Sequence, residues 1–375
     1  MPVPVQRDPE RTRRALAAWL TARAPEAGTV DVGPVRVPGT AGFSGEILLC
    51  DAAWADGSVD PLAVRVAPTG HRVHPDDRWT EQVRLHEILT GTRIRVAPLL
   101  GHEPDASVLG APFLVMRRVE GRVPADLPSY HREGWLAELP PRRRRAVWLG
   151  GVETLAAIHH LDPLTAGLGF LGQPVTAHGT GGTDGDRLTG QLADYAARLP
   201  FYGAERNEVA AAALGWLRDR LPGKPGEPGE PGEPGPTRLL WGDARIGNIV
   251  YAGETPAAVL DWEMAGLGEP ESDLAWFLHL DRHLSEGIGA PRLPGLPDRA
   301  ETVAYYEELT GRRVGRLEYY EVYAAFRFCV FTARVTRLLT ETGILPRALD
   351  FPLHRNATRL LSRVLAEHGI RHTTG

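Results

Sequence analysis

The residues best equipped for chemistry fall within 239–278, LLWGDARIGNIVYAGETPAAVLDWEMAGLGEPESDLAWFL. Gly242 and Asp243 are followed by Asn248, five residues after the aspartate, and by Asp261, eighteen after it. Asp261 closes one short apolar run (AAVL) and Asn248 opens another (IVY). Runs of this length and composition read as strands, so a strand–loop–strand unit would bring two carboxylates and one amide to the same edge. Phosphoryl transfer calls for that set. One carboxylate orients or deprotonates an attacking hydroxyl, while a carboxylate and an amide oxygen hold Mg²⁺, a hard ion that takes oxygen ligands. The metal offsets the triphosphate charge. Each piece alone has a plainer reading: the Asp and Asn of such a run often cap a turn, and Asp261 could be a strand-end carboxylate.

Protein kinases join the same residue types in the same order, with a catalytic-loop aspartate, an asparagine five later and a metal-binding aspartate beyond. The segment resembles the aminoglycoside phosphotransferase family of kinase-like enzymes. It is closer to the branch that includes the kinase-like domain fused to some acyl-CoA dehydrogenases than to the antibiotic-resistance enzymes, and the resemblance covers about 25–350. It implies an α+β, protein-kinase-like bilobal fold with a small β-rich N-lobe and a larger helical C-lobe. It implies that Asp243 is the catalytic base and that Asn248 and Asp261 are the Mg²⁺ ligands. Arg245, two after the aspartate, matches the place where many kinases put a cation near the transferred phosphate. Asp273, in the DLAW run, reads locally as a helix cap; the family uses this position to brace the catalytic loop.

The upstream lobe should supply the nucleotide site. Residues 39–46 (GTAGFSGE), with Gly42, Phe43 and Ser44 at the tip, lie between two strand-like runs and could cover phosphates with backbone N–H groups. Arg65 follows in LAVRVAP, where kinases place a lysine that binds phosphates and pairs with a helix glutamate. The chain has one lysine, Lys224, beside 41 arginines, and it stands in a Pro/Gly run before Pro225. A Walker A loop and Schiff-base chemistry are thereby excluded. Arginine keeps the charge and adds a bidentate fork with different reach. Glu81 is the favoured partner of Arg65 and Glu87 the rival. By the resemblance, 113–119 (FLVMRRV), including Met116, form the hinge that reads adenine, and ATP binds between the lobes with GTP as an alternative donor. Trp241 stands where the family usually has histidine, so packing should hold the loop there.

The acceptor side is expected on the helical lobe. Tyr323, Arg327 and Arg334 fall on one aromatic helix, the two arginines seven apart and so on one face. They either pair with carboxylates or meet an anionic substrate, and Asp281 and His283 are further candidates. Polycationic aminoglycosides would want an acidic lining, so the arginines point towards an acidic hydroxylated acceptor. Two motifs fail their context. Gly167, Gly169 and Gly172 spell G-x-G-x-x-G but follow a helix, not a strand. His279 and His283 could share a metal, but spacing offers no third ligand. The Arg142–Arg145 run reads as a solvated face.

These residues need a scaffold, and the chain can build one. Its 375 residues, 43% apolar, suffice for two packed units. The net charge of −5 excludes a broad polycationic nucleic-acid binder. No run approaches the ~20 apolar residues of a membrane helix. The start MPVPVQRDPERTRR has no signal core, and Cys50 and Cys329 make neither a disulfide framework nor a zinc site, so a cytoplasmic protein is expected. A helix over 8–23 precedes strands in VDVGPVRV, EILLCDAAW and PLAVRVAP, a helix over 78–90 and strand-like runs near 93–103 and 112–119. Helices are expected over 141–160, 189–199, 204–220, 270–284, 298–310, 317–341 and 353–367, with a strand-rich insert at 238–262. The divisions are an N-terminal helix (1–24), a nucleotide-binding N-lobe (25–118) and a catalytic, acceptor-binding C-lobe (119–375). The PGEPGEPGEPGP run, 225–236, reads as a stiff solvated loop.

The expected function is ATP- and Mg²⁺-dependent O-phosphoryl transfer to the hydroxyl of a small molecule. One alternative is a catalytically weak kinase-like nucleotide-binding or regulatory protein. The other is an aminoglycoside-type antibiotic phosphotransferase.

Overall fold

The computed structural model describes residues 7–38, 45–70, 72–76, 78–172, 184–222, 237–343 and 352–370, those at 184–186 by backbone only. Gly42, Phe43, Ser44, Lys224 and the 225–236 run lie outside the described residues. The chain divides into two compact units, Met1–Glu120 and Gly121–Gly375.

The first unit opens with α1 (Pro9–Arg23). Asp8 caps it by accepting from the Glu10 and Arg11 amides, and Pro9 occupies the first turn, where no N–H is needed. Then come β1 (Asp31–Val32), β2 (Glu46–Ala53), β3 (Val59–Val66), α2 (Trp79–Thr90), β4 (Leu99–Glu103), α3 (Ala106–Leu109) and β5 (Phe113–Arg117). The strands form one antiparallel sheet in the order β1-β2-β3-β5-β4. Burial alternates along β2, as a strand with one face on a core requires. That core joins Leu16, Trp19 and Leu20 of α1 to Leu48, Leu62, Val64 and Phe113 of the sheet. The strand expected in VDVGPVRV shrinks to Asp31–Val32 and one bridge between Arg36 and Leu49. Pro34 interrupts it, since proline lacks the N–H that a ladder needs.

The second unit is mainly helical. It holds α4 (Trp135–Glu138), α5 (Pro141–His160), α6 (Asp184–Tyr202) and α7 (Glu208–Asp219). Four short strands follow, β6 (Arg238–Leu240), β7 (Ile249–Ala252), β8 (Thr255–Val259) and β9 (Gly266–Gly268). The chain ends in α8 (Glu271–Leu284), α9 (Arg299–Thr310), α10 (Leu317–Glu341) and α11 (Leu353–Glu367). Helix α10 is the buried spine, with Tyr320, Phe326, Cys329 and Val330 almost inaccessible. Helix α9 starts with a capping box between Asp298 and Glu301. Strands β7 and β8 form a hairpin, and β6 pairs with β9. At Gly151 of α5 a side chain would reach within 2.9 Å of Ile246, so glycine here lets the helix close on the loop that follows β6. No helix among the described residues is long and apolar enough to cross a membrane.

Candidate active site

Asp273 fixes the loop after β6. Its Oδ2 accepts from the Trp241 amide at 2.6 Å and its Oδ1 from the Gly242 amide at 3.0 Å. Gly242 has φ 87°, and a Cβ there would fall 2.0 Å from the Met264 carbonyl oxygen, so only glycine makes this turn. The local expectation that Asp273 caps a helix is corrected. It lies inside the first turn of α8, no side chain caps that helix, and its carboxylate braces the loop instead. His159 Nε2 stands 3.3 Å from the same carboxylate, and its Nδ1 is 2.7 Å from the Tyr306 hydroxyl. Trp241 is fully buried beside Trp262, as packing requires, and its indole N–H also donates to the Leu260 carbonyl at 2.8 Å.

This loop presents Asp243, half-buried, to three side-chain donors. The Trp276 indole donates to Oδ1 at 2.8 Å; the Asn248 amide donates to Oδ2 at 2.6 Å, and Arg245 Nε donates to Oδ2 at 3.0 Å. Asn248 also donates to the Asp243 carbonyl at 3.1 Å, which leaves its own amide oxygen facing away from Asp243. Arg245 donates from its other arm to Asp126. Burial alone would lower the Arg245 pKa, but the carboxylates of Asp126, Asp243 and Asp261 outweigh it and raise it above the ordinary value. The Leu260 amide donates to the Asn248 carbonyl at 2.8 Å, so the β7–β8 hairpin sets Asp261 beside Asn248. Asp261 adopts a left-handed φ of 55°, rare for a residue with a side chain. The sequence did not reveal Trp276, Asp126 or His159 as site residues. DLAW contains Trp276, but nothing local marks Asp126.

The donor set fits Mg²⁺. One carboxylate and one amide oxygen at a hairpin end are hard ligands, and Mg²⁺ is usually held by one or two carboxylates plus substrate phosphates rather than by an all-protein cage. Accordingly, no cluster of three His, Cys, Asp or Glu side chains suited to a metal occurs among the described residues.

In the first unit, Arg65 lies on β3, opposite Ile47 of β2 and Leu114 of β5. Its guanidinium lies over the Trp79 ring at 5.7 Å, and a Cβ at Gly45 would stand 3.7 Å from its Nε. Glu81 and Glu87, the favoured partner and its rival, lie on α2, the helix that carries Trp79; Glu81 also lies near Arg78, offsetting part of the burial that lowers the Arg78 pKa. Met116 lies on β5, half-buried against Trp79, Val83 and Leu114. Arg117 pairs with Asp60 at 3.0 Å and Arg118 with Asp51 at 3.2 Å, so the arginine pair ties the end of β5 to its own sheet.

The acceptor candidates divide. Arg327 lies over the Trp276 ring at 4.7 Å and the Tyr323 ring at 5.3 Å, and donates to the Tyr195 hydroxyl at 3.3 Å. Tyr323 donates to Gln191 at 2.6 Å. Arg334, one face but two turns away, lies over Phe201 at 4.4 Å and 3.9 Å from Glu341. Asp281 is buried and held by Tyr130, His131 and Arg292. Burial would raise its pKa, but His131 and Arg292 hold it below the usual carboxylate range. His283 and His279 both lie against Phe328, at 4.5 and 5.6 Å between ring centres. Asp281 and His283 are thus both buried in the core of the second unit. In the run expected as a solvated face, Arg142, Arg143 and Arg145 are exposed, with surface pairs from Arg143 to Glu254 and from Arg145 to Glu301 at 2.9 Å, while half-buried Arg144 donates to three carbonyls.

With that geometry in place, comparison with known proteins defines the class. The phosphotransferase enzyme family (APH) matches residues 52–312. The chain belongs to this family and has its protein-kinase-like α+β fold. Acyl-CoA dehydrogenase family member 11 of Gallus gallus is 32% identical over 212 residues, 56% of this chain and 23% of that protein. Acyl-CoA dehydrogenase family member 10 of Mus musculus is 26% identical over 219 residues, 57% of this chain. The matches span between 18% and 29% of the length of such curated relatives. Among solved structures, one from Ralstonia eutropha JMP134, provisionally assigned to the aminoglycoside phosphotransferases, superposes with a TM-score of 0.67 at 22% identity. The match covers 96% of this chain and 99% of that one. A thermostable aminoglycoside phosphotransferase variant in ternary complex with ADP and hygromycin B has a TM-score of 0.55 at 15% identity, covering 93% and 98% of the chains.

Proposed function

We propose that this phosphotransferase moves the γ-phosphoryl group of ATP to a hydroxyl of a small molecule, with Mg²⁺ bound by Asn248 and Asp261. The observation that carries the reading is the Asp243 carboxylate held by Trp276, Asn248 and Arg245 beside those two oxygen ligands. Among the described residues, Oδ2 already accepts twice, whereas Oδ1 accepts only from Trp276 and keeps a lone-pair direction for a substrate hydroxyl. The acceptor oxygen attacks the γ-phosphorus and its proton passes to Asp243 Oδ1. The bond to the β–γ bridging oxygen breaks, and its electron pair leaves with ADP. When bound, Mg²⁺ would offset the charge of the β- and γ-phosphate oxygens. Arg245 holds Asp243 in place and adds positive charge where negative charge develops. Arg65 is the cation for the phosphates on the nucleotide side, with Met116 near the adenine. The relatives whose descriptions name ADP and hygromycin B support a nucleotide donor and a small-molecule acceptor.

The test is transfer of labelled γ-phosphate from Mg-ATP to a panel of hydroxylated metabolites and antibiotics. Asp243→Ala and Asp261→Ala should abolish transfer while circular dichroism stays unchanged. Full activity in both variants refutes the reading. The second reading is a nucleotide-binding protein without turnover, suggested by Arg65 standing where kinases place a lysine. That reading predicts a thermal shift with nucleotide and no transfer to any acceptor.

A further inference from the structure

Arg327 differs from the other inward-facing arginines of its unit. Arg292 meets Asp281 at 2.6 Å, Arg312 meets Glu271 at 2.8 Å, and Arg245 meets Asp243 and Asp126. Arg327 meets no carboxylate among the described residues; its neighbours are two ring faces and one phenol hydroxyl. The carboxylate of Asp273 adds its field from further away but is already engaged by the Trp241 and Gly242 amides. A half-buried guanidinium without a counter-charge is costly to keep, and stacking on aromatic faces offsets only part of that cost. Its position matters as much as its charge. The ring it covers is that of Trp276, whose edge N–H holds Asp243 Oδ1 at 2.8 Å. One indole therefore separates the unpaired cation from the carboxylate that receives the acceptor hydroxyl. The rest of the surround is built for a polar ligand: Tyr195 accepts from Arg327, and exposed Gln191 orients the Tyr323 hydroxyl.

We infer that Arg327 is the counter-ion for an anionic group on the acceptor, so that the substrate is a hydroxy acid rather than a neutral polyol or a polycation. The inference rests on the phosphotransferase reading and deepens it. The planar guanidinium, with one face on Trp276, would take a carboxylate by its N–H edge and so hold the hydroxyl over Asp243. Tyr195 shares the guanidinium from the other side and fixes its rotamer.

The test uses the full chain with Mg-ATP and paired probes of matched skeleton: glycerate with glycerol, 3-hydroxybutyrate with 1,3-butanediol, gluconate with sorbitol, and the cation kanamycin. Binding is followed by tryptophan fluorescence, since Trp276 lies under the ligand, and transfer by labelled phosphate. The wild type should bind and phosphorylate the acidic member of at least one pair at least tenfold better than its neutral partner. Arg327→Gln should raise its KM by about tenfold or more with a smaller change in kcat, and Arg327→Lys should recover part of the loss. Circular dichroism and melting of both variants exclude misfolding, and the lysine variant keeps the test decisive if the glutamine one is unstable. Equal or better use of the neutral members or kanamycin overturns the inference while leaving phosphoryl transfer intact. A preference for acids unchanged in Arg327→Gln and Arg327→Lys overturns it as well. Binding of an acid that depends on Arg327, with no transfer from ATP to any probe, supports the anion site and instead counts against the phosphotransferase reading.

Discussion

The indole N–H of Trp276 donates to Asp243 Oδ1 at 2.8 Å, across 33 residues of chain. It fixes the plane of the carboxylate proposed to face the acceptor. A hydrogen bond to a charged group contributes ~1.5–3 kcal/mol, equivalent to about 10- to 100-fold in rate if it acts on the transition state. Trp276→Phe keeps the ring and removes the donor. It should lower kcat by about that factor with nucleotide affinity nearly unchanged. Steady-state kinetics with ATP varied at fixed acceptor would check it, and an unchanged kcat would leave Trp276 as mere packing.

Asp273 is fully buried and satisfies two backbone amides of the loop after β6. Asp273→Ala strands both amides away from water. Each unpaired buried group costs ~1–3 kcal/mol, so the variant should lose about 2–6 kcal/mol. Urea unfolding should show a lower midpoint with the same slope, and activity should fall with it. A midpoint indistinguishable from wild type would mean that the loop is held elsewhere.

What sequence could reveal follows from how local each cause is. The grouping of Asp243, Asn248 and Asp261 was legible because they lie within one strand–loop–strand stretch, where spacing along the chain translates into spacing in the fold. Helices α9, α10 and α11 were legible for the same reason: apolar periodicity and the Asp298 cap are local signals. Asp126 is invisible in this way because it meets Arg245 across 119 residues. Asp281 was a further acceptor candidate because nothing nearby announces Tyr130 and His131, which bind it from 151 and 150 residues away.

Asp261 and Asn248 offer one carboxylate and one neutral oxygen. Asp261→Asn would leave two neutral ligands, removing the only negative charge that the chain is proposed to place on the metal. Half-maximal activity should then require about tenfold more Mg²⁺ or worse, as expected from losing ~1.4 kcal/mol or more of ion attraction. Titrating Mg²⁺ at fixed ATP in excess of its own complex would check this. Chelation should silence the wild type, and an Asp261→Asn variant with an unaltered Mg²⁺ curve would remove Asp261 from the metal.

His279 and His283 lie on one face of α8, buried against Phe328, and burial pulls their pKa values down to about 3 and about 4. In the unfolded chain the imidazoles take up protons near pH 6.5. Between those values the unfolded state binds more protons than the folded one, so stability is complete above about pH 6.5 and declines as pH falls towards 4. Each histidine contributes a slope of up to ~1.4 kcal/mol per pH unit. Burial lowers His86 and His354 as well, so they add to the same limb. The double variant His279→Gln/His283→Gln should therefore be less stable at neutral pH, having lost its ring contacts, yet show a flatter decline on acidification. Melting temperatures taken from pH 7.5 to 4 in steps would reveal it, and a decline as steep as in the wild type would show that these two rings do not remain neutral in the fold.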